Sequence, residues 1–364
     1  MTALKPSKGK LLRYNHIIGT GGIGSGIFFS MEGNHTLIRN ESRRGKLESF
    51  RDYCKQHIIM HYIAVFLGAG KMGSFQSFPI GKIGNDDQGY RLRSMMELAG
   101  MDTSHITVSD NAATLFSVCY QYPDHSGGNI TSANSASNLV KPQDIASFFK
   151  HYQMNGREGI VLAAPEVPVE TRISLLSQGN EHGLFNVASV LPTEVEVFTR
   201  LKGFELTSLL AINIDESRHI SGIKDDRTET VKIVTACTSR LKSINPEMAV
   251  LITDGVHGCY CYYKNQNEFT PSLKTKVVST AGAGDAFLAG TIIGICCGLS
   301  LFKGYSNLDI NQSPLQTAVE LGTVLASLSV TSADTIHEGA DALSLEQYIH
   351  QSGLKMSQKF EKLF

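Results

Sequence analysis

Residues 279–290 of the chain read Ser-Thr-Ala-Gly-Ala-Gly-Asp-Ala-Phe-Leu-Ala-Gly, and this stretch decides both the fold and the chemistry that the sequence predicts. Small residues at Gly282, Ala283 and Gly284 let a loop bring its backbone N–H groups close to a ligand. The apolar run from Ala286 to Gly294 indicates a helix that begins at once, and its first turn carries the partial positive charge of the helix dipole. Together these features predict an anion site, most simply for a phosphate.

Asp285 lies at the mouth of this predicted site, where a carboxylate has no partner among its sequence neighbours. A negative charge beside a phosphate is electrostatically unfavourable, so we expect the residue to have a chemical task. That task is to take a proton from a substrate hydroxyl while its oxygen attacks a γ-phosphate. For the Gly-Ala-Gly-Asp tetrapeptide by itself, a tight turn that caps a helix is the structural alternative.

The stretch resembles the C-terminal signature of the ribokinase-like (PfkB) carbohydrate kinases, which usually reads Asp-Thr-Thr-Gly-Ala-Gly-Asp-Ala-Phe. Residues 282–287 match this signature, whereas Ser279 and Ala281 depart from it. The resemblance implies that Asp285 is the catalytic base and that Gly282–Gly284 form the anion hole. It also implies an α/β fold: a doubly wound, mainly parallel sheet flanked by helices, with a small β lid.

Composition is ordinary for a globular protein of 364 residues, with 42% hydrophobic residues, 18% charged residues and a net charge of −1. Neither a global basic excess nor an acidic tail is present, so we expect no nucleic-acid partner. Seven cysteines without zinc-site spacing, and an N-terminus without an apolar targeting run, predict reduced thiols in a cytoplasmic protein. The longest apolar segment, residues 291–302, is too short to span a bilayer, so no membrane association is expected.

Predicted strands alternate with predicted helices along the chain, which favours one doubly wound sheet. We therefore expect residues 1–364 to form a single ribokinase-like domain, with lid strands drawn from about residues 25–48 and 103–132. Because a lid sheet with open edges often pairs with a second subunit, a homodimer through the lid is a further expectation.

The first predicted strand, residues 14–18, is followed by Gly-Thr-Gly-Gly-Ile-Gly at 19–24. This is a literal G-x-G-x-x-G, the fingerprint of dinucleotide-binding folds. A helix should open there, but residues 27–29 indicate another strand, so a nicotinamide-dependent enzyme is a weak alternative. In the resembled family this strand leads to a sugar-binding Asp, whose place is taken here by Gly24. Gly22 and Gly24 are the candidate substrate-binding positions of this segment.

A helix predicted over residues 54–67 ends at Gly68. The resembled family has a Gly-Gly-Lys-Gly-x-Asn sugar motif at the start of this helix. By distance back from Gly68, its two glycines fall near Cys54 and Lys55 and its Asn near Ile59, and none is retained. Because a backbone that approaches a sugar closely needs glycine, we expect the sugar pocket to be reshaped or lost.

Residues 35–53 are polar and carry a basic run of Arg39, Arg43, Arg44 and Lys46. The simpler interpretation is a solvated hairpin. The alternative is a basic lid edge that faces a phosphate, either from the nucleotide or from a phosphorylated sugar. On this interpretation, the acceptor could be a phosphorylated sugar.

Two further segments match the resembled family before the middle of the chain. Residues 81–89 match its Gly-Lys-Val-Gly-Asp-Asp-x-x-Gly turn, for which an acidic helix cap and a structural role are expected. Glu166 follows the buried strand predicted at 160–164 and begins a Glu-x-Pro-x-Glu run. Ligands of open α/β sheets bind at the carboxyl ends of strands, and in ribokinases the first Glu lies beside the substrate. A helix-cap carboxylate is the structural alternative for Glu166.

The nucleotide side is expected from two later turns. Residues 192–196 stand where the family has Pro-Asn-x-x-Glu, with the Asn near the phosphates and the Glu organising magnesium through water. Thr193 replaces that Asn, and Glu196 keeps the acid and is the candidate metal residue. Residues 253–258 match the Thr-x-Gly-x-x-Gly turn that borders the nucleotide. The nucleotide-binding candidates of that turn are Thr253, Gly255 and Gly258.

These ordered motifs, spread over residues 15–340, favour an ATP-dependent kinase of a small sugar-like or nucleoside substrate. Asp285 would activate a hydroxyl, the Gly282–Gly284 amides would hold the developing charge, and Mg²⁺ would bridge the phosphates of ATP. A monovalent cation is a further cofactor that the resemblance leaves open. The alternative is a catalytically silent nucleotide- or sugar-binding protein on a PfkB kinase scaffold. The altered sugar-side positions support it, and the retained Asp285 opposes it.

Overall fold

The computed structural model describes residues 1–5, 12–48, 51–70, 73, 75–124, 127–152, 158–225, 227–303 and 313–364. Within these residues the chain forms fourteen strands and eleven α-helices. The strands are β1 His16–Thr20, β2 Gly24–Met31, β3 Gly45–Leu47, β4 Asp52–Tyr53, β5 Gln76–Gly84, β6 Ile106–Ser109, β7 Leu115–Gln121, β8 Gly127–Thr131, β9 Gly159–Ala163, β10 Phe185–Ala188, β11 Leu209–Asn213, β12 Ala249–Thr253, β13 Gly258–Tyr263 and β14 Gln266–Pro271. The helices are α1 Lys55–Leu67, α2 Asp87–Leu98, α3 Pro142–Lys150, α4 Val169–Glu181, α5 Val195–Arg200, α6 Ile214–Ser221, α7 Thr230–Ile244, α8 Ala283–Cys296, α9 Ala318–Ser329, α10 Ala342–Gln351 and α11 Gln358–Glu361.

Nine strands form the large sheet, in the order β14-β13-β12-β11-β10-β9-β1-β5-β6. Pairs from β6 to β12 run parallel, and the two pairs at the other edge, β12–β13 and β13–β14, run antiparallel. Every residue of the central strands β1 and β9 is buried, as expected where helices cover both faces of a parallel sheet. One apolar cluster lies with α1, α8 and α9, and a second lies with α3, α4 and α7. The predicted doubly wound, mainly parallel α/β fold is thereby confirmed.

Helix α8 is buried from Ala286 to Cys296 and packs closely on α9. A Cβ atom added to Gly290 would lie 2.7 Å from the Cα of Gly322, so the two backbones touch without intervening side chains. This close packing fixes the direction of α8 and therefore the position of its N-terminus. Among the described residues, no helix combines the length and the apolar character that crossing a membrane requires.

A second, smaller sheet of five strands has the order β3-β2-β7-β8, with β4 paired to β2 beside β3. The predicted lid segment 25–48 contributes to β2 and β3, and the segment 103–132 contributes β7 and β8. Strand β6 lies in that second segment but extends the large sheet beside β5. Ile106 is buried, whereas Val108 on the same face is exposed. Apolar residues at every second position, as predicted there, suit an edge strand of either sheet, so the sequence pattern does not distinguish the two sheets.

Two local expectations are decided by these elements. Strand β2 begins at Gly24, so no helix opens after the G-x-G-x-x-G run, and the dinucleotide-binding geometry is absent there. Asp86 caps α2 by accepting a hydrogen bond of 2.8 Å from the backbone N–H of Gly89, which confirms the predicted acidic cap.

Candidate active site

The loop before α8, predicted to be an anion site, is a tight turn that leads directly into the helix. Gly282 is the N-cap residue of α8 and adopts a left-handed conformation with φ of 78°. A Cβ atom there would lie 2.6 Å from the carbonyl oxygen of Thr335, so both backbone conformation and space require glycine. The N–H of Ala283 closes the turn on the carbonyl of Thr280 at 3.2 Å. A Cβ atom on Gly284 would meet no atom within 4 Å, so this side of the helix start is open to a ligand.

Asp285 lies in the first turn of α8 and forms an ion pair with Lys55, with 2.7 Å between Oδ1 and Nζ. The two side chains are only 13% and 28% exposed, respectively. Lys55 is the first residue of α1, where the helix dipole disfavours a cation. Burial by itself lowers the pKa of the Lys55 ammonium, but the carboxylates of Asp285, Glu216 and Glu166 outweigh burial and raise it. Lys55 is therefore a charged residue held in place by surrounding acids.

Glu166 lies beside this ion pair in a strained conformation. Its φ of 75° is in the left-handed region, which costs a non-glycine residue about 1–2 kcal/mol. Its Oε2 atom is buried and has no hydrogen-bond partner among the described residues. Burial raises the pKa of the Glu166 carboxyl to about 7, the charge of Asp285 adds to this effect, and Cys54 and Lys55 oppose it. Strain and a perturbed pKa are typical of functional residues.

The two predicted substrate glycines differ in their surroundings. A Cβ atom on Gly22 would lie 2.6 Å from Oε2 of Glu166 and 3.3 Å from Sγ of Cys54, so Gly22 lies in the same cluster. A Cβ atom on Gly24 would lie 2.4 Å from the carbonyl oxygen of Leu115, its partner on β7. The absence of a side chain at Gly24 is thus explained by the close approach of the neighbouring strand.

Asp52 is an acid near the Lys55–Asp285 pair that no sequence motif indicates. It lies on β4, and its Oδ2 accepts a hydrogen bond from the thiol of Cys119 at 3.2 Å. Burial raises the pKa of the Asp52 carboxyl, the hydrogen bonds from Cys119 and Tyr53 oppose this, and the charge of Asp285 adds to it. Asp52 therefore lies within electrostatic range of the predicted catalytic base.

Glu216 is the second acid that the sequence interpretation missed. It is 7% exposed, lies in the first turn of α6, and accepts a 2.7 Å hydrogen bond from the backbone N–H of Asn213. Burial raises the pKa of its carboxyl, the Lys55 ammonium opposes this, and Asp285 adds to it. Residues 213–216 read Asn-Ile-Asp-Glu, so the Asn-x-x-Glu pattern expected at 193–196 also occurs one strand later.

Glu196 and Thr193, the residues predicted for magnesium and nucleotide, lie elsewhere. Both are exposed, Glu196 in α5 and Thr193 in the turn before it. No hydrogen bond or ion pair joins either of them to the Lys55–Asp285 pair in the part of the chain that the structure describes. The structure brings Glu216, and not Glu196, to the electrostatic neighbourhood of Asp285.

The predicted nucleotide turn directly adjoins the start of α6. Thr253 ends β12 and pairs in register with Asn213 of β11. Gly255 and Gly258 adopt positive φ values of 51° and 135°, which explains glycine at both positions. A Cβ atom on Gly258 would also lie 2.2 Å from the carbonyl oxygen of Thr270. The turn is therefore shaped by glycine and is adjacent to the end of β11, after which α6 carries Glu216.

The chain matches the family model described as pfkB family carbohydrate kinase over residues 63–342. It is 23% identical over 304 residues to 5-dehydro-2-deoxygluconokinase of Bacillus subtilis (strain 168), which covers 79% of this chain and 83% of that protein. Ribokinase from Cryptococcus neoformans var. grubii serotype A, solved in complex with ADP, superposes with a TM-score of 0.70 at 18% identity, covering 92% of this chain and 99% of that one. Arabidopsis thaliana ribokinase, solved with ribose and ATP, gives a TM-score of 0.67 at 17% identity, covering 92% and 99%. Because the family model matches more than half of the sequence, the chain belongs to the PfkB family of carbohydrate kinases.

Proposed function

We propose that this protein is an ATP-dependent kinase that transfers the γ-phosphoryl group to a hydroxyl of a small sugar-like or nucleoside substrate. The observation that carries this proposal is the position of Asp285, which follows the open Gly282–Gly284 loop directly and lies in the first turn of α8. Related proteins support the acceptor class. The Arabidopsis thaliana ribokinase structure holds ribose and ATP, and a nucleoside kinase of Burkholderia thailandensis holds inosine.

Asp285 is proposed as the general base. Lys55 occupies its Oδ1, and no hydrogen bond from a described residue reaches Oδ2. The free oxygen would accept the proton of the acceptor hydroxyl as that hydroxyl attacks phosphorus. The Lys55 ammonium holds the carboxylate in place and adds positive charge where negative charge gathers during transfer.

The phosphate side is proposed to consist of the open Gly282–Gly284 loop and the turn that contains Thr253, Gly255 and Gly258. Backbone N–H groups at the start of α8 and the dipole of that helix favour the negatively charged γ-phosphate. These groups are already ordered in the protein, so they stabilise developing charge without reorganisation during the reaction.

Magnesium is proposed to be held next to Glu216. Mg²⁺ is usually bound through one or two carboxylates together with substrate phosphates and water, and when bound it neutralises phosphate charge. Among the described residues no group of three or more potential ligands is preassembled, which fits an ion that arrives with the nucleotide. Glu216 is buried next to the nucleotide turn and within range of Lys55, whereas Glu196 is exposed. Glu196 and Thr193 stay as predictions from the sequence, and the geometry favours Glu216.

The acceptor side is proposed to include Gly22, Glu166 and Gly24, as the resemblance implies. Gly22 and Glu166 are in contact, and Gly24 shapes the adjoining strand pair. The homodimer through the lid is also a proposal. Its support is a set of large apolar side chains that the smaller sheet exposes: Leu47, Phe116 and Ile130.

One observation favours a second candidate function, a binding protein that does not transfer phosphate. The Lys55–Asp285 ion pair occupies one oxygen of the base, and an ion-paired carboxylate accepts a proton less readily than a free one. The resembled family has glycine at the position of Lys55. This lysine is therefore compatible both with a kinase, in which it would stabilise negative charge during transfer, and with a binding protein that does not transfer phosphate.

The test combines Mg-ATP binding with an acceptor screen. Replacing Gly284 by valine should weaken Mg-ATP binding because the added side chain occupies the space open to phosphate. The fold should tolerate the change, since a Cβ atom there meets nothing within 4 Å. Calorimetry measures the affinity, with Gly284→Ala as the smaller matched change. Unchanged affinity in the valine variant would remove the anion-site assignment. ATP binding without turnover across sugars, nucleosides and sugar phosphates would favour the binding protein.

A further inference from the structure

The acceptor side of this site contains acidic side chains for which phosphoryl transfer needs no role. We propose that Asp52 is an acceptor-binding residue, and that the acceptor is an uncharged, hydroxyl-rich molecule and not a phosphorylated or carboxylated sugar. The inference rests on the proposed kinase function and specifies the substrate class of the same site.

Asp52 is placed to contact an acceptor by the pairing of β4 with β2. Asp52 lies directly opposite Gly26 in this antiparallel pair, and opposite residues project to the same face of a sheet. A Cβ atom on Gly26 would lie 2.9 Å from Oδ2 of Asp52, so the carboxylate lies over a position without a side chain. Gly24 is two residues away and therefore belongs to the same face. That face of β2 thus lacks side chains next to the Asp52 carboxylate.

The chain then runs directly from Asp52 to the reaction centre. Cys54 follows two residues later and donates its backbone N–H to the carbonyl of Gly24 at 3.4 Å. Lys55 comes next and pairs with Asp285. Since the charge of Asp285 raises the pKa of the Asp52 carboxyl, the two acids are also electrostatically coupled. Asp52 and the predicted base therefore line one continuous site.

The hydrogen bonding of Asp52 is incomplete for a partly buried carboxylate. A carboxylate accepts several hydrogen bonds, and the only side-chain donor to Asp52 among the described residues is the thiol of Cys119, which is a weak donor. No ion pair to Asp52 occurs in that part of the chain. The backbone N–H of Tyr53 adds one further donor, but no cation does, so this partly buried carboxylate keeps room for hydrogen bonds from a ligand that supplies O–H donors. Sugar and polyol hydroxyls are such donors.

The charge of the site decides against an anionic acceptor. Asp285, Glu216 and Glu166 act on the Lys55 ammonium, and Asp52 lies within electrostatic range of Asp285 and Glu166. Among the described residues, Lys55 is the cation recorded against these four acids, and even with Glu166 only partly ionised near neutral pH the carboxylates outnumber it. A phosphate or carboxylate on the acceptor would be repelled by this excess of negative charge.

The basic run before β3 does not compensate for these acids. Arg43 pairs with Glu41 at 2.6 Å and lies over the ring of Tyr122, with 5.7 Å from its guanidinium carbon to the ring centroid. The Arg44 side chain is 90% exposed, with Glu32 as its ion-pair neighbour at 3.9 Å. Both arginines have acidic neighbours within their own turn, so the phosphorylated acceptor that the sequence left open loses its main support.

The experiment measures direct binding to the full chain in the presence of a non-hydrolysable ATP analogue and Mg²⁺. The probes are uncharged sugars, alditols and cyclitols, each with its phosphorylated and carboxylated counterpart. We expect the wild type to bind at least one uncharged probe at least about tenfold more tightly than its charged counterparts. Asp52→Asn should weaken that binding about 10–100-fold, as expected for loss of hydrogen bonds to a charged group, and should leave ATP affinity unchanged.

Glu48→Gln is the matched control, because Glu48 is an acid near the end of β3 that accepts hydrogen bonds from Ser30 and Lys46. It should bind the probes as the wild type does. Preference for a charged counterpart, no binding of any uncharged probe, or wild-type affinity in Asp52→Asn would overturn the inference. The wild-type panel decides the acceptor class even where Asp52→Asn does not fold. Polyol binding that depends on Asp52, without phosphoryl transfer, would support the role of Asp52 and refute the kinase function. Phosphoryl transfer to an anionic acceptor would support the kinase function and refute the inferred acceptor class.

Discussion

The two ends of the candidate active site differ in how they are built. The proposed phosphate end consists of the Gly282–Asp285 loop and the turn at 253–258, which retain the residues of the family pattern. The acceptor end consists of Gly22–Gly26, Asp52–Lys55 and Glu166, and most of its family positions are changed. In the proposal, phosphate would be held by backbone N–H groups and a helix dipole, which requires glycine at fixed positions. Acceptor hydroxyls are bound by side chains, which a neighbouring strand can supply as well.

Lys55 joins the two ends. It occupies a position where the resembled family has glycine, yet it reaches across to the loop at 282–285 and pairs with Asp285. A cation at the start of a helix is unfavourable by itself, and three acids raise its pKa against the effect of burial. Through the Lys55–Asp285 ion pair, the altered acceptor end therefore interacts electrostatically with the retained phosphate end.

The largest expected effect tests the phosphate end at Asp285. Asp285→Asn keeps the size of the side chain but removes the base, and general-base catalysis typically contributes about 10²–10⁴-fold. We expect kcat to fall on that scale, while ATP affinity holds or rises because a negative charge near the γ-phosphate is lost. Steady-state kinetics on the identified acceptor and calorimetry with Mg-ATP measure the two quantities.

Asp87→Asn is the control for this change, since Asp87 is an exposed acid in the first turn of another helix, α2. It should leave both quantities unchanged. A wild-type kcat in Asp285→Asn would refute the base assignment, and the phosphate end would then be retained for binding alone.

A smaller effect is expected from replacing the acid proposed for magnesium, for which the structure favours Glu216 and the sequence favours Glu196. Glu216→Gln keeps an oxygen that can accept the helix-capping hydrogen bond from Asn213 but loses the charge proposed to hold Mg²⁺ through water. Supporting residues of this kind typically contribute about 10–100-fold to metal affinity or activity. We expect the Mg²⁺ concentration for half-maximal activity to rise accordingly, as measured by magnesium titration.

Glu196→Gln is the matched change, because Glu196 is exposed and lies one strand away, in the helix after β10. The Mg²⁺ concentration for half-maximal activity of Glu196→Gln should equal that of the wild type. The reverse outcome, a magnesium defect in Glu196→Gln alone, would restore the interpretation from the sequence and would mean that Mg²⁺ is not held next to Glu216.

Contiguous features of this site could be predicted from the sequence, and features assembled by topology could not. The loop at 282–285 is one short motif, and its geometry follows from glycine and the helix that begins there. Lys55 and Asp285 are 230 positions apart, and only the packing of α1 against α8 brings them together. Asp52 is a single acid on a two-residue strand with no pattern around it. Glu216 could be predicted, since Asn213-x-x-Glu216 follows an apolar strand, but residues 192–196 form a similar run one strand earlier, and the sequence alone does not rank the two.

The smallest expected effect tests the acceptor end through stability. The pKa of Glu166 is raised from 4.5 in the unfolded chain to about 7 in the folded protein, mainly by burial. The unfolded state therefore releases this proton first, so the stability that Glu166 contributes is present below pH 4.5 and is lost as the pH rises through 7. Glu166→Gln carries no proton to lose. Its free energy of unfolding relative to the wild type should thus improve between pH 5 and pH 8, on the order of 1–2 kcal/mol after allowance for solvent screening.

Denaturant unfolding of both proteins at the two pH values measures this difference. Glu170→Gln, an exposed acid four residues further along the same Glu-x-Pro-x-Glu run, should show no change with pH. A Glu166→Gln variant that is destabilised equally at pH 5 and pH 8 would mean that the carboxyl is needed for its hydrogen bonds and not tolerated as a buried charge. A stability gain that appears only as the pH rises would instead show an acceptor end that keeps a strained, buried acid at the expense of folding stability. Such a cost has a physical reason only if a bound acceptor completes the hydrogen bonds that Oε2 of Glu166 lacks.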